Sequence, residues 1–366
     1  MADDILWKRE PHTEGKHLVL RAYLDAWLPI LGSWNTRILF IDGFAGPGEY
    51  EGGEDGSPII ALRSLIEHNA RKTVSGEVIF IFIEKHQGRA EHLDELVEAM
   101  RPHLPANADV SVVHGPFDQS MREALDALDV QEARMAPAFV MIDPFGVSGT
   151  PMSVIGRLME NPRCEVYISF MYESMNRFIS TEEFAPHLDE LFGTDEWRAA
   201  VSLEGAARQQ HLYKLYERQL RDAGAEHVVH FDLYEGSRLV YAIFFGTQHR
   251  RGCDVMKRAI WKVAPSGDFT FRGSKSDQLI LGVESPNFAP LREQLLYEFG
   301  DGELVEIEEI MEFVASDRTE YHTSQLKKQV LKPLENEGIV EADEGSRNRR
   351  GTYPEGCRIR FRIRDA

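Results

Sequence analysis

RILFIDGFAGPGEY, residues 37–50, joins an apolar run of strand character to an acid, Asp42, and then bends at once through Gly43, Gly46 and Gly48 around Pro47. Glycines at such a corner permit left-handed backbone and close approach of a ligand, and in an open α/β sheet ligands bind at the carboxyl ends of the strands. The dinucleotide pattern G-x-G-x-x-G and the phosphate-loop pattern G-x-x-x-x-G-K-[ST] are both missing from this corner.

Outward from the bend, further compact apolar runs follow at VIFIFI (78–83), VSVV (110–113), AFVMI (138–142) and EVYISF (165–170). Unbroken β-branched and aromatic runs suit strands buried on both faces. Between them SPIIALRSLIEHN, AEHLDELVEAM, MREALDAL and PMSVIGRLME read as helices, the first with Ser57 as its N-cap and Pro58 in its opening turn. LVLRAYLDAWLPIL (18–31) reads as a helix stopped at Gly32, and HVVHFDL with LVYAIFFG as a closing pair of strands. This alternation predicts a doubly wound, mostly parallel Rossmann-like sheet over residues 1–300.

Residues 301–366 change character. LVEIEEIMEFVAS and SQLKKQVLKPLENEG read as two helices, the second kinked or ended by Pro333. In CRIRFRIR, Cys357, Ile359, Phe361 and Ile363 alternate with arginines, so one face of the strand is apolar and the other cationic. The outline is a winged-helix-like α+β module. Between Arg347 and Arg364 seven arginines stand against one acid, Glu355, within a chain of net charge −19. That imbalance argues against a surface that grips nucleic acid everywhere and selects Arg347, Arg349, Arg350, Arg358, Arg360 and Arg362 as a local DNA or RNA contact. A second basic group, Arg250, Arg251, Lys257, Arg258 and Lys262, lies beside Trp261, a candidate stacking face.

The 366 residues are 43% hydrophobic and 28% charged, as in ordinary globular proteins. Cys164, Cys253 and Cys357 lie far apart without metal-ligand spacing, so buried thiols are expected and no metal is predicted. The N-terminus lacks the pattern of a signal peptide and no apolar run is long enough to span a bilayer, which predicts a cytoplasmic protein.

An acid opening the glycine bend suits a ligand with a cationic amino group, such as the methionine end of S-adenosylmethionine. Asp42, Phe44, Gly46 and Gly48 resemble motif I of the methyltransferases that use it. Glu84, ending the second strand, is placed to accept hydrogen bonds from ribose hydroxyls. Phe117 and Asp118, after the third strand, offer an aromatic face and a carboxylate to an adenine. Asp143, Pro144 and Phe145, after the fourth, resemble the D/N-P-P-aromatic motif of amino-methyltransferases with its second proline replaced by the aromatic. Asp143 reads as an acceptor-orienting acid, a general base or a helix cap. Asn176 and Arg177, after the fifth strand, are further rim residues.

IDGFAGPGEY with GSPIIAL, IDPFG and FFGTQHRRGCDVMKRAIWKV (244–263), together with the helix of residues 16–31, resemble the three-Cys-motif partner family, TcmP. The resemblance spans nearly the whole chain. It implies a methyltransferase-like fold and a partner protein bearing three clustered cysteines. Two function classes follow: a methyltransferase acting on nucleic acid or on that partner, and a noncatalytic platform of the same fold that docks either one. Phosphoester chemistry on a metal held by Asp42 and Asp143 ranks behind both.

Overall fold

The structure is a computed structural model and describes residues 5–265, 269–271 and 286–362. Two compact units divide the chain: one of residues 5–249 with 270–271, the other of residues 250–265 and 269 with 286–362. The helix of residues 250–263 belongs to the second unit, although it lies inside the segment 1–300 assigned by sequence to the first domain.

The first unit is built on β1 (Arg37–Asp42), β2 (Glu77–Glu84), β3 (Ala108–His114), β4 (Ala138–Ile142), β5 (Cys164–Phe170), β6 (His227–Glu235), β7 (Arg238–Thr247) and β8 (Thr270–Phe271). They form one sheet in the order β3-β2-β1-β4-β5-β7-β6-β8. β1 to β5 run parallel, in register pairs such as Phe40 with Phe80 and with Phe139. β7 lies antiparallel between β5 and β6. The doubly wound, mostly parallel sheet expected from the alternating pattern is present. Its helices are α1 (Pro11–Gly32), α2 (Ser57–Ile66), α3 (Gln87–Met100), α4 (Phe117–Val130), α5 (Met152–Met159), α6 (Tyr172–Phe178), α7 (Ala185–Phe192) and α8 (Gly205–Asp222).

Every residue of β4 and β5 is buried, which explains why those strands read as continuous apolar runs. Phe40 stacks on Phe139 at 5.7 Å, and Tyr23 of α1 packs on Phe139 and Phe245. Two local expectations shift. α1 begins at Pro11, about two turns before the first leucine of the periodic run, because Pro11 is preorganised for a first helical position. Gly56, not Ser57, occupies the N-cap of α2; its N–H donates to the Gly48 carbonyl at 2.7 Å, which ties the helix start to the end of the glycine bend.

The second unit contains α9 (Arg250–Val263), α10 (Ala289–Phe299), β9 (Leu304–Glu306), α11 (Ile307–Ala315), α12 (Thr323–Gln325), α13 (Lys332–Asn336), β10 (Val340–Ala342) and β11 (Arg358–Phe361). β9, β10 and β11 make a small antiparallel sheet in the order β10-β11-β9. The start of the helix expected at 304 is therefore a strand. Pro333 does not end the second helix, which runs on through Lys332–Asn336; a π-helical turn, Leu326–Leu331, precedes it and widens the spiral where the proline has no N–H to give. Ile363 and Arg364, counted in the basic strand, lie outside the described residues.

Candidate functional site

The sheet order reverses between β1 and β4, and the carboxyl ends of these two strands place Asp42 and Asp143 side by side at the switch point. Over this point opens a cavity of about 520 Å³ lined by the glycine bend, Asp143 to Phe145, the N-terminal segment from Trp7 to Lys16, and Tyr241 of β7. The carboxyl-end rim was legible in the sequence; the N-terminal wall was not.

Asp42 is fully buried. The Phe44 N–H donates to its Oδ1 at 3.1 Å, while its Oδ2 makes no hydrogen bond of ordinary geometry and has the Ser57 hydroxyl close by. Burial pushes its carboxyl up to about 7, against the pull of the Ser57 hydroxyl and the Phe44 N–H, and the nearby Asp143 charge adds to the rise. Asp42 is not itself among the cavity-lining residues; it lies directly behind the glycine bend that is.

The three glycines serve different ends. A Cβ at Gly43 would fall 2.3 Å from Phe117, so this glycine makes room for the protein's own core. Gly46 adopts φ of +61°, and Gly48 φ of +88°, in the left-handed region that glycine alone enters without cost. Above Gly46 lies Trp7, 3.2 Å from where a Cβ would stand.

The remaining cofactor candidates are held differently from expectation. Glu84 is buried, and its two oxygens accept the backbone N–H groups of Gly46 at 2.9 Å and His86 at 2.7 Å. It fastens the bend from below and does not line the cavity. Phe117 is 2% exposed and packs on Phe44 at 5.5 Å, so its face is core and not an open adenine platform. Its position at the first turn of α4, whose apolar stripe faces the sheet, is the reason. Asp118, on the same turn, is half-buried and stands outside the cavity wall.

Asp143, Pro144 and Phe145 all line the cavity. Asp143 Oδ2 accepts the ammonium of Lys16, a side chain only 6% exposed. Phe145 is 73% exposed and meets Trp7 edge-on at 5.2 Å. Asn176 and Arg177 do not line the cavity: Asn176 accepts from Arg208, and Arg177 pairs with Glu173.

Sequence reasoning missed the N-terminal wall. The Trp7 carbonyl accepts the Glu51 N–H at 3.1 Å, Arg9 faces Glu54 at 3.9 Å, and Arg89 lies 4.6 Å over the Trp7 ring. The acidic stretch 49–55 is thus the dock of the N-terminal segment. An early tryptophan flanked by Lys8 and Arg9, opposite an acidic insertion, was the only signal available.

In the second unit the arginines divide. Arg347 is 11% exposed at its side chain and makes a bidentate pair with Glu335, which also accepts from Tyr353 and from the Gly351 N–H. Arg358 pairs with Asp343 and Arg362 with Glu341. Arg360 is half-buried; Arg349 and Arg350 are exposed, Arg350 lying 3.7 Å from the Glu335 carboxylate and donating to the Glu335 carbonyl at 3.3 Å. Exposed Lys328 and Lys332 add to the cationic surface. The basic group of α9 divides as well: Lys257 is fully buried and donates to the carbonyls of Val314, Ser316 and Thr319 at and just after the end of α11, whereas Arg250, Arg251, Arg258 and Lys262 are exposed, Arg250 pairing with Glu312 and Arg258 with Asp254. Trp261 is buried against Phe288 and gives its N–H to Glu320, so it offers no stacking face. The three cysteines are buried. Among the described residues no group of three or more His, Cys, Asp or Glu side chains is placed to hold a metal ion, and no helix is long and apolar enough to cross a membrane.

No family model and no curated protein matches the chain. Among solved structures it is similar to an O-methyltransferase from Bacillus cereus in complex with SAH, at 16% identity and a TM-score of 0.34, covering 67% of this chain and 86% of that one. It is similar to the delta-N METTL16 MTase domain at 13% identity and a TM-score of 0.31, covering 63% of this chain and 83% of that one. A spermidine synthase in complex with the transition-state analogue AdoDATO is similar at 10% identity and a TM-score of 0.31, covering 67% of this chain and 65% of that one. The features of the site are a buried acid, Asp42, beneath a left-handed glycine bend at the switch point of a parallel sheet.

Proposed function

We propose that the first unit binds S-adenosylmethionine at the glycine bend and transfers its methyl group to an acceptor held at Asp143 to Phe145. The observation that carries this reading is buried Asp42 beneath that bend, its Oδ2 without a hydrogen bond of ordinary geometry. Asp42 would face the cationic methionine end, with the backbone at Gly46 and Gly48 lying close alongside. When bound, the cofactor supplies an electrophilic methyl group on a sulfonium. Asp143 and Phe145 would orient the acceptor, and such positioning provides most of the rate in a displacement of this kind. The space above Gly46 is occupied by the Trp7 ring, which in this reading yields or turns to lie over the nucleoside.

The second unit, in this reading, is a winged-helix-like module: helix, strand, helix, helix and a two-stranded ribbon whose loop carries Arg349 and Arg350. It presents DNA or RNA, or the three-Cys partner that the sequence resemblance implies.

A second reading keeps the fold as a noncatalytic docking platform. It is favoured by the N-terminal segment, which places Trp7 against Gly46 and Lys16 on Asp143. Calorimetric titration with S-adenosylhomocysteine separates the two. Binding by the native chain, weakened at least about tenfold by Asp42→Ala, supports transfer; no binding to a folded protein that retains nucleic acid or partner supports the platform.

A further inference from the structure

Three buried side chains with unspent hydrogen-bonding capacity line the acceptor side of the cavity. Lys16 gives one of its three N–H donors to Asp143 and has no other partner among the described residues. Tyr241 is 3% exposed, and its hydroxyl makes no hydrogen bond of ordinary geometry, with the Thr13 side chain beside it. His12 is 7% exposed and its Nδ1 has no hydrogen-bond partner. They form one group: His12 and Lys16 stand four residues apart on one face of α1, the His12 ring meets Tyr241 edge-on at 5.3 Å, and the Lys16 ammonium lies 5.8 Å from the centre of the Tyr241 ring. Unsatisfied groups are costly to bury, so a set of them around one cavity marks a polar ligand.

Their chemistry selects the ligand. Glu10 lies 3.4 Å from His12 Nε2 and favours the tautomer protonated there, which leaves Nδ1 as a base. Burial holds the His12 imidazolium below its ordinary range, with Glu10 and Glu235 opposing and Lys16 and Arg238 assisting, so the ring is neutral near pH 7. Burial also raises the Tyr241 hydroxyl well above its ordinary value, Asp143, Tyr167 and Tyr50 adding to this and the Thr13 side chain opposing it, so it remains a donor. Two donors, one of them charged, beside one base suit a hydroxyl taken as its anion. An amine would meet Lys16 with like polarity. Phe145, Trp7 and Tyr50 give the same cavity aromatic walls, which suit a flat ring.

We propose that the acceptor subsite binds an aromatic hydroxyl as its oxyanion, held by Lys16 and the Tyr241 hydroxyl, with His12 Nδ1 taking the proton. The O–H bond breaks, its electron pair stays on oxygen, and the N–H bond forms at His12. This rests on the transfer reading of the cavity and narrows its acceptor from amine to hydroxyl.

The probe is 4-nitrophenol, whose anion absorbs in the visible, titrated into the full chain with and without S-adenosylhomocysteine, with 4-nitroaniline as the matched amine. Near about pH 6 the native protein should bind the phenol as its anion, raising its acidity about tenfold or more, and should bind the amine at least about tenfold more weakly. Lys16→Met should abolish the acidity shift and Lys16→Arg should restore most of it, with thermal melts confirming that each variant folds. Tyr241→Phe should weaken binding of the anion by about threefold to tenfold and leaves the charge in place. Equal binding of phenol and amine, an unchanged shift in Lys16→Met, or no phenol binding by a chain that binds S-adenosylhomocysteine overturns the proposal. Lys16-dependent anion binding by a chain that does not bind S-adenosylhomocysteine sinks the transfer reading and leaves the oxyanion subsite standing.

Discussion

Asp42 carries a pH signature that follows from its burial. Its carboxyl titrates at about 7 in the folded chain and near 3.8 when exposed, so between these values the folded state binds more protons than the unfolded state. Its contribution therefore favours folding at low pH and is lost as pH rises from about 4 through about 7, at about 1.4 kcal/mol for each tenfold change in proton affinity. Asp42→Asn should flatten the fall in urea-unfolding free energy between about pH 5 and 8 and leave the variant more stable than the native chain at the upper end. An unchanged fall would show that Asp42 is ionised in the folded state throughout this range. The same titration couples to the ligand: a cation beside Asp42 should bind more tightly as pH rises through 7, releasing about half a proton at pH 7, which calorimetry in buffers of different ionisation heat reads directly.

At the scale of elements, the N-terminal segment and the loop at 347–353 are the two pieces whose contacts set what the molecule presents. Trp7 is held by the Glu51 N–H, by Arg89 and by Phe145, and it stands over the glycine bend. If its ring must move aside for the cofactor, Trp7→Ala should tighten S-adenosylhomocysteine binding by about threefold to tenfold; if it caps the nucleoside, the same variant should weaken it. Stopped-flow binding distinguishes displacement, which slows association, from capping, which slows release. In the second unit Glu335, 6% exposed at its side chain, ties α13 to the loop through Arg347, Tyr353 and Gly351. Glu335→Ala strands a buried guanidinium, and should cost about 3 kcal/mol of that unit's stability in denaturant unfolding.

For the whole molecule, net charge opposes polyanions and only local surface admits them. Arg358 and Arg362 face Asp343 and Glu341, so they are half-neutralised on the protein itself. Exposed Arg349, Lys328 and Lys332, with Arg350 only loosely paired to Glu335 at 3.7 Å, carry positive field around the loop of the second unit. Replacing Arg349 and Arg350 by Ser should weaken DNA or RNA binding and lower the slope of log affinity against log salt by about 2, whereas Arg358→Ser with Arg362→Ser should change the slope by less. Equal slopes in both pairs would remove the loop as the contact.

The doubly wound order, the strand ends and the bend at Asp42 were legible in the chain because each rests on local patterning: continuous apolar runs, helical spacing and residues that alone tolerate a left-handed corner. Even the alternation of CRIRFRIR marked its apolar face. Four side chains turned inward for one reason. Phe117 became core, Glu84 a fastener of the bend, Arg347 a buried partner of Glu335, and Lys257 a clamp on three carbonyls. In each, the side chain's partner lies far away in sequence, and a residue type alone does not say whether its hydrogen bonds are spent within the protein or left for a ligand. That choice belongs to tertiary packing, which also brought Trp7, His12 and Lys16 from an unremarked N-terminal segment onto the cavity over Asp42.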